Sequence, residues 1–198
     1  WSAFWAANVR LWRDPLGAVS LYITTLYWGV GAVLQFVILD WAQHGLGLRL
    51  EHGAYMQALV ALGVILGAAL AARWLKLHTA RRVWPVGYLM ALTVAGWVWI
   101  DALWLVLPML VCAGAMAGVL LVPMNAMLQH RGAVLLSSGR SIAVQGFNEN
   151  AAVLLMLALY AAAQYAGAPR QGVMLVLAIA MALGMWPLQR SRLRARRG

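Results

Sequence analysis

The sequence has few charged residues, and their scarcity sets the class of protein. Charged residues make up 10% of the 198 positions and only five are acidic, against roughly 25% charged in an ordinary soluble domain. Apolar residues make up 64%, more than a soluble fold of this length can bury. Lipid solvates such side chains, provided that backbone polar groups are paired internally. The apolar runs are continuous rather than alternating as in a β-barrel, so we predict an all-α integral membrane protein.

Cysteine and the usual enzyme motifs are also scarce or absent. Cys112 is the single cysteine, so an intramolecular disulfide is excluded, and we interpret it as a small buried apolar residue. No phosphate-binding loop or dinucleotide fingerprint occurs, and the serines in 136–141 have no histidine within a span to act as a base. His44, Glu51 and His52 are too loosely spaced for a convincing metal site. We therefore predict a non-enzyme that has no metal and no cofactor.

Six apolar segments are long enough to cross a bilayer, which takes about 20 residues. A stretch with tryptophans and arginines, 1–15, precedes them and reads as a cytoplasmic interfacial lead-in helix. Because residue 1 is Trp rather than Met, we expect the chain to be a piece of something longer. The bundle occupies 16–189 and a basic cytoplasmic tail 190–198. The predicted spans are 16–39, 54–72, 83–100, 102–128, 142–165 and 171–189.

The distribution of Lys and Arg orients these spans. Thirteen of the fifteen lie in the lead-in, in alternate connections and in the tail, whereas the opposite side holds only Arg49 and Arg170. Since positive charge is retained in the cytoplasm, both termini are predicted to be cytoplasmic. The net charge of +10 is thus explained by topology and by contact with membrane lipids, and nucleic acid is not expected as a partner.

Spacing along the chain suggests how the spans are organised. Two sets of three spans, 16–100 and 102–189, fit a 3+3 inverted repeat of the kind found in secondary transporters. Glycines four residues apart, Gly63 with Gly67 and Gly114 with Gly118, allow close approach of two helix backbones. We predict that these pairs are packing seams.

The fifth span carries polar residues, which are costly in hydrocarbon and therefore informative. Gln145, Asn148 and Glu149 follow helical spacing and share one face. Asn125 and Gln129, one turn apart near the end of the fourth span, lie at a similar depth. We predict a hydrogen-bonded network across these two helices on the cytoplasmic side. Two interpretations stay open, a gate or ligand contact and a purely structural link between helices.

A second polar and aromatic stripe runs along the first span. Thr24, Trp28, Gly31 and Gln35 follow helical spacing through the middle of the membrane. Such a stripe suits a cavity wall that accepts an amphipathic ligand, and it is equally compatible with Trp28 packing against small residues.

Three stretches together resemble a known family. They are LWRDPLGAVSLYITTLYWGVGAVLQFVILDWA (11–42), PMNAMLQHRG (123–132) and SGRSIAVQGFNENAAVLLMLALY (138–160). They resemble the C-terminal half of bacterial lysophospholipid transporters, members of the major facilitator superfamily. The resemblance covers nearly the whole chain, and its NAMLQHRG and AVQ-x-x-x-EN elements are the most specific.

The resemblance implies a flippase that moves lysophospholipids, such as lysophosphatidylethanolamine, from the outer to the inner leaflet of the bacterial inner membrane. A cytoplasmic acyltransferase then restores the second chain. It also implies a missing N-terminal six-helix half. Thr24, Trp28 and Gln35 are then candidates for the substrate cavity, and Asn125, Gln129, Gln145, Asn148 and Glu149 for the cytoplasmic gate. The alternatives are an efflux transporter of small amphipathic compounds and a membrane scaffold that transports nothing.

Overall fold

The chain forms a bundle of seven α-helices within the described residues, which are 1–75, 77–100 and 102–194 of the computed structural model. Lys76, Asp101 and positions 195–198 of the predicted basic tail lie outside them. Two 3-10 segments, Leu77–Val83 and Trp97–Trp99, and a π-helical segment, Trp41–Gly45, complete the helical structure. The helices are α1 (Ser2–Arg13), α2 (Pro15–Asp40), α3 (Leu50–Trp74), α4 (Trp84–Gly96), α5 (Leu103–Leu135), α6 (Ser138–Tyr165) and α7 (Arg170–Arg194).

Five of these helices, α2, α3, α5, α6 and α7, are long and apolar enough to cross a membrane. The segment 83–100, predicted as the third span, does not form one continuous α-helix of spanning length. It comprises the 13 residues of α4 followed by the 3-10 turn Trp97–Trp99. Hydropathy marked the apolar stretch correctly, but it does not distinguish an α-helix from a tighter 3-10 turn.

The helices pack in a pattern with an internal correspondence. α3 packs along α5, α2 along α6, and α4 along α7, while α2 and α5 also contact each other. If α2 is exchanged with α5, α3 with α6 and α4 with α7, the same pairs of helices are in contact as before. The core between them is apolar and rich in methionine, with Met124, Met181 and Met185 fully buried.

The predicted glycine seams are confirmed, and they face each other. A Cβ built on Gly63 would lie 2.1 Å from the carbonyl oxygen of Val111. A Cβ built on Gly67 would lie 2.0 Å from the carbonyl oxygen of Ala115. Built on Gly114, it would lie 2.1 Å from the oxygen of Val60. The hydrogens that stand in place of these Cβ atoms therefore point at backbone oxygens, as in the Cα–H···O contacts of closely packed membrane helices.

Cys112 departs from the expectation stated above, because it is exposed rather than buried. It lies two residues before Gly114, on a side of α5 that is exposed in the described structure. A run of apolar residues does not reveal which side of a membrane helix faces lipid, since both sides are apolar.

Candidate functional site

The predicted network between α5 and α6 is present. The side-chain amide nitrogen of Gln145 donates hydrogen bonds to Asn125 Oδ1 at 2.8 Å and to Glu149 Oε1 at 2.9 Å. All three residues are partly buried. We call Asn125, Gln145 and Glu149 the α5–α6 cluster. Both hydrogens of the Gln145 amide are used in it, so this side chain is held in one orientation between an acceptor on each helix.

Gln129 and Asn148 lie outside this cluster. Gln129 is exposed at the end of α5, and its side chain forms no hydrogen bond with any described residue. Asn148 instead faces α1, where its amide nitrogen donates to Asn8 Oδ1 at 3.0 Å and its oxygen accepts from Trp12 Nε1 at 3.2 Å. Helical spacing placed Asn148 beside Gln145 and Glu149 correctly, but it did not reveal that a different helix opposes it.

The contact of α1 with α6 was not predicted. Beside the polar contacts, Phe4 and Trp5 make edge-to-face ring contacts with Phe147, at centroid distances of 5.2 and 5.6 Å. We call Asn8, Trp12 and Asn148 the α1 clasp. The signal that was available is Asn8 itself, an amide among the apolar residues of α1 that is only 7% exposed and therefore needs a partner.

Removing the clasp should loosen α1 from the bundle. In Asn8→Ala, Asn148 loses its acceptor on α1, and a hydrogen bond of this kind contributes about 1 kcal/mol. We expect limited trypsin digestion in detergent to cut after Arg10 about fivefold faster than in the unmodified chain. The matched control is Asn150→Ala, because the Asn150 amide bonds to Gly146 O of its own helix and to no other described residue. Equal cleavage rates in all three proteins would contradict a role of the clasp in holding α1.

The stripe predicted on α2 divides in two. Trp28 is 50% exposed, and Gly31 and Gln35 are exposed on the same side of the helix. We call these three residues the α2 stripe. Thr24 is fully buried, and its hydroxyl donates to Leu21 O at 3.2 Å. Thr24 therefore shares the helical face of the stripe but is covered, so it is not part of the exposed surface.

Neighbouring contacts place the α2 stripe between α3 and α6. Gln35 Nε2 donates to Gln57 Oε1 of α3 at 3.1 Å, and Gln57 Nε2 donates back to Gln35 O at 3.2 Å. The next residue, Phe36, packs against Tyr160 of α6 with ring centroids 6.5 Å apart. The stripe is thus flanked by α3 and α6, and its three residues remain exposed in the part of the chain that the structure describes.

An ion pair at the start of α2 was also missed. Arg131 near the end of α5 donates two hydrogen bonds to Asp14, one from Nε to Oδ1 at 3.0 Å and one from a terminal nitrogen to Oδ2. The Asp14 carboxylate also accepts from Gly17 N at 2.7 Å and so caps α2. The bonds from Arg131 hold the pKa of Asp14 below its usual value against the opposing effect of burial, and Gly17 adds to this.

Other polar groups are paired away from these sites. His44 contacts Asp40 at 2.9 Å, and Arg49 contacts Glu51 at 3.2 Å. In the described ranges, no three residues of the His, Cys, Asp and Glu types come close enough to bind a metal ion. What the candidate site offers is hydrogen bonds and an exposed face of mixed polarity, a combination suited to holding an amphipathic molecule.

Comparison with known proteins identifies similar chains. No family model matches the sequence. The chain is 38% identical over 195 residues to the lysophospholipid transporter LplT of Enterobacter sp. (strain 638), a match that covers 96% of this chain and 49% of that protein. It is 40% identical over 162 residues to LplT of Serratia proteamaculans (strain 568), a match that covers 81% of this chain and 41% of that protein.

LplT of Salmonella arizonae matches over 191 residues at 38% identity, covering 93% of this chain and 48% of its own length. The chain thus spans about half the length of the curated relatives it matches. The spanning-length helices and these transporter relatives together make it a multi-pass membrane protein. Its predicted resemblance to bacterial lysophospholipid transporters is confirmed over nearly the whole chain, which corresponds to about half of such a protein.

Proposed function

We propose that the chain is the C-terminal six-helix half of a lysophospholipid transporter of the major facilitator superfamily. The observation that carries the proposal is the match of nearly the whole chain to about half of proteins named as lysophospholipid transporters. The transporter would move lysophospholipids from the outer to the inner leaflet of the bacterial inner membrane without covalent chemistry. Reacylation would follow through a cytoplasmic acyltransferase.

A 3+3 inverted repeat is supported by the packing. The exchange of α2–α4 with α5–α7 preserves which helices pack together, as two copies of one three-helix unit would do. Because each unit has three spans, the second would enter the membrane from the opposite side. This requires α4 to span. Its 13 α-helical residues and the following 3-10 turn extend about 26 Å, close to the hydrocarbon thickness of about 30 Å.

The orientation follows from the charges. The ends of the helices marked by Arg13, Arg73, Arg131, Arg140 and Arg190 form what we call the basic end of the bundle. The positive-inside rule favours the cytoplasm for the basic end, which puts both termini there. The α5–α6 cluster and the α1 clasp then lie on the cytoplasmic side of the membrane.

The α2 stripe is our candidate for the face that meets the other half of the transporter and the substrate. An exposed glutamine is unfavourable against hydrocarbon, whereas a wall of Trp28, Gly31 and Gln35 suits a ligand with one tail and a polar head. Thr24, buried one turn before Trp28 on the same face of α2, would support this wall. Half a transporter also cannot alternate access alone, since rocking needs a second bundle.

The α5–α6 cluster is our candidate for the cytoplasmic gate. Glu149 receives one hydrogen bond, from Gln145, and its second carboxylate oxygen has no partner among the described residues. A carboxylate at this depth is costly unless water, a cation or a second helix bundle reaches it. Asn148, and Gln129 at the end of α5, would border the gate rather than close it.

The test is uptake of lysophosphatidylethanolamine by spheroplasts that lack their own lysophospholipid transporter and express the chain in its natural polypeptide. Conversion of labelled lysolipid to diacyl lipid reports arrival at the inner leaflet. We expect Glu149→Gln and Gln35→Ala each to lower the uptake rate about tenfold, a loss of about 1.4 kcal/mol. Glu149→Gln removes a negative charge and Gln35→Ala removes a polar contact, and we place both on the transport path.

Asn150→Ala is the matched control, since it removes an exposed amide of α6 whose hydrogen bond to a described residue stays within its own helix. Unmodified rates in Glu149→Gln and Gln35→Ala, at equal expression, would refute the site assignment. Absence of uptake in the unmodified protein would refute the transport function itself. Displacement of lysolipid by a fluorescent drug would favour export of small amphipathic compounds instead.

A further inference from the structure

An open cleft at the basic end lies apart from the α5–α6 cluster and the α2 stripe. Its volume is about 410 Å³, and it is bounded by the start of α2, the 3-10 segment Leu77–Val83 and the end of α7. We call its apolar lining residues, Pro15, Leu16, Val19 and Pro187, the apolar wall. The remaining lining residues are polar, Arg81, Arg190 and Ser191.

The two guanidinium groups in this cleft have no carboxylate partner in the described part of the chain. Asp14 is the acidic residue nearest to the cleft in sequence, adjoining Pro15, and its carboxylate is engaged by Arg131. Among the described residues, Arg81 donates one hydrogen bond, to Ser191 O at 2.9 Å. Because a guanidinium has five N–H donors, most of its donors remain available. The cleft therefore holds two uncompensated positive charges with unused donors.

The depth of the cleft is indicated by a tryptophan. The Arg190 guanidinium lies 3.4 Å from the ring centroid of Trp186, which is 51% exposed. Exposed tryptophans of membrane proteins favour the boundary between hydrocarbon and headgroups. The stacked arginine then stands at the level of lipid phosphates, while Leu16 and Pro187 adjoin acyl chains.

We infer that this cleft binds the phosphodiester of an anionic phospholipid, with the phosphate between Arg81 and Arg190 and an acyl chain along the apolar wall. Arginine favours phosphate because it offers paired, charged donors, and basic pockets between membrane helices bind anionic headgroups. Free inorganic phosphate has the same charge chemistry but would leave the apolar wall unused. The inference requires only that the chain lies in a membrane, not that it transports lysolipid.

Native mass spectrometry of the purified full chain, titrated with phosphatidylglycerol or phosphatidylcholine, tests this inference. We expect tighter binding of the anionic lipid. In Arg81→Gln/Arg190→Gln the apparent affinity for phosphatidylglycerol should fall about tenfold, to the level of phosphatidylcholine. Arg81→Lys/Arg190→Lys retains both charges and should keep most of the preference. If the glutamine variant fails to fold, the lipid preference of this lysine variant is the measurement to compare with the unmodified chain.

The matched control is Arg73→Gln/Arg82→Gln, which removes the same charge from exposed residues outside the cleft. An equal loss in both glutamine pairs would overturn the inference in favour of general surface charge. Equal binding of the two lipids by the unmodified chain would overturn it as well. Displacement of phosphatidylglycerol by millimolar inorganic phosphate would identify a phosphate site instead. Failure of lysolipid transport would leave this result unaffected.

Discussion

Replacing Gly67 with valine should destabilise the protein by about 3 kcal/mol or more. A Cβ at this position would lie 2.0 Å from the carbonyl oxygen of Ala115. Backbone cannot move aside as a flexible side chain can, so α3 and α5 would have to separate. The same helices meet at Gly63, Gly114 and Gly118, and separation would weaken contacts along the whole seam. We expect a sharp loss of folded protein in detergent and a lower midpoint in denaturant titration followed by tryptophan fluorescence.

Gly146→Ala is the matched control for the seam. A Cβ at Gly146, within α6, meets nothing within 4 Å, and alanine is a better helix former than glycine by about 1 kcal/mol. This variant should be as stable as the unmodified protein or more stable. If Gly67→Val unfolds at the same denaturant concentration as Gly146→Ala, that result would contradict the close approach of α3 and α5 at Gly67.

Replacing Asp14 with asparagine should lower stability at neutral pH by about 2 kcal/mol, because Arg131 loses its charged partner. The side chains of Asp14 and Arg131 are 9% and 29% exposed, so water compensates only in part. Asparagine still serves as a helix N-cap, which separates the ion pair from the capping of α2. Thermal unfolding should shift down by about 6 °C.

The effect of Asp14 also has a definite pH dependence. Arg131 lowers the pKa of Asp14 in the folded protein, whereas the unfolded value is about 3.9. The stabilisation is therefore fully present above about pH 4 and is lost as the pH falls through the lowered folded value. The difference in melting temperature between Asp14→Asn and the unmodified protein should be constant from pH 5 to 8 and should shrink in stronger acid.

Arg140→Gln is the control for this series, since Arg140 is exposed at the start of α6 and forms no ion pair with a described residue. We expect little change in its melting temperature at any pH. An Asp14→Asn variant as stable as Arg140→Gln at neutral pH would show that the Asp14–Arg131 pair contributes nothing.

Spacing along single helices predicted much of the site. Amphipathic logic put Gln145 and Glu149 on one face, and the shared depth of Asn125 predicted the bond that Gln145 makes across to α5. The glycine seams followed from the need of two backbones for close approach. In each case the residues recur at the spacing of about one helical turn, and a polar or very small residue marks the contact.

The Asp14–Arg131 ion pair and the α1 clasp, which were missed from sequence, join elements far apart in the chain. Asp14 and Arg131 are 117 positions apart, and Asn8 meets Asn148 across 140 positions. Periodicity defines a face but not the helix that opposes it. The burial of Thr24 beside the exposed Trp28 has the same cause, because a stripe of residues does not state where the neighbouring helices cover it.

The sparse burial of α6 bears on the order of membrane insertion. Of the five spanning-length helices, α6 is the least apolar and the least covered by the rest of the chain, and it carries Gln145 and Glu149. A free helix with a carboxylate partitions poorly from the translocon into lipid. Asn125, which accepts from Gln145, precedes α6 in synthesis. We therefore expect α6 to leave the translocon efficiently only when α5 is already beside it, so that Asn125 serves assembly before it serves the folded protein.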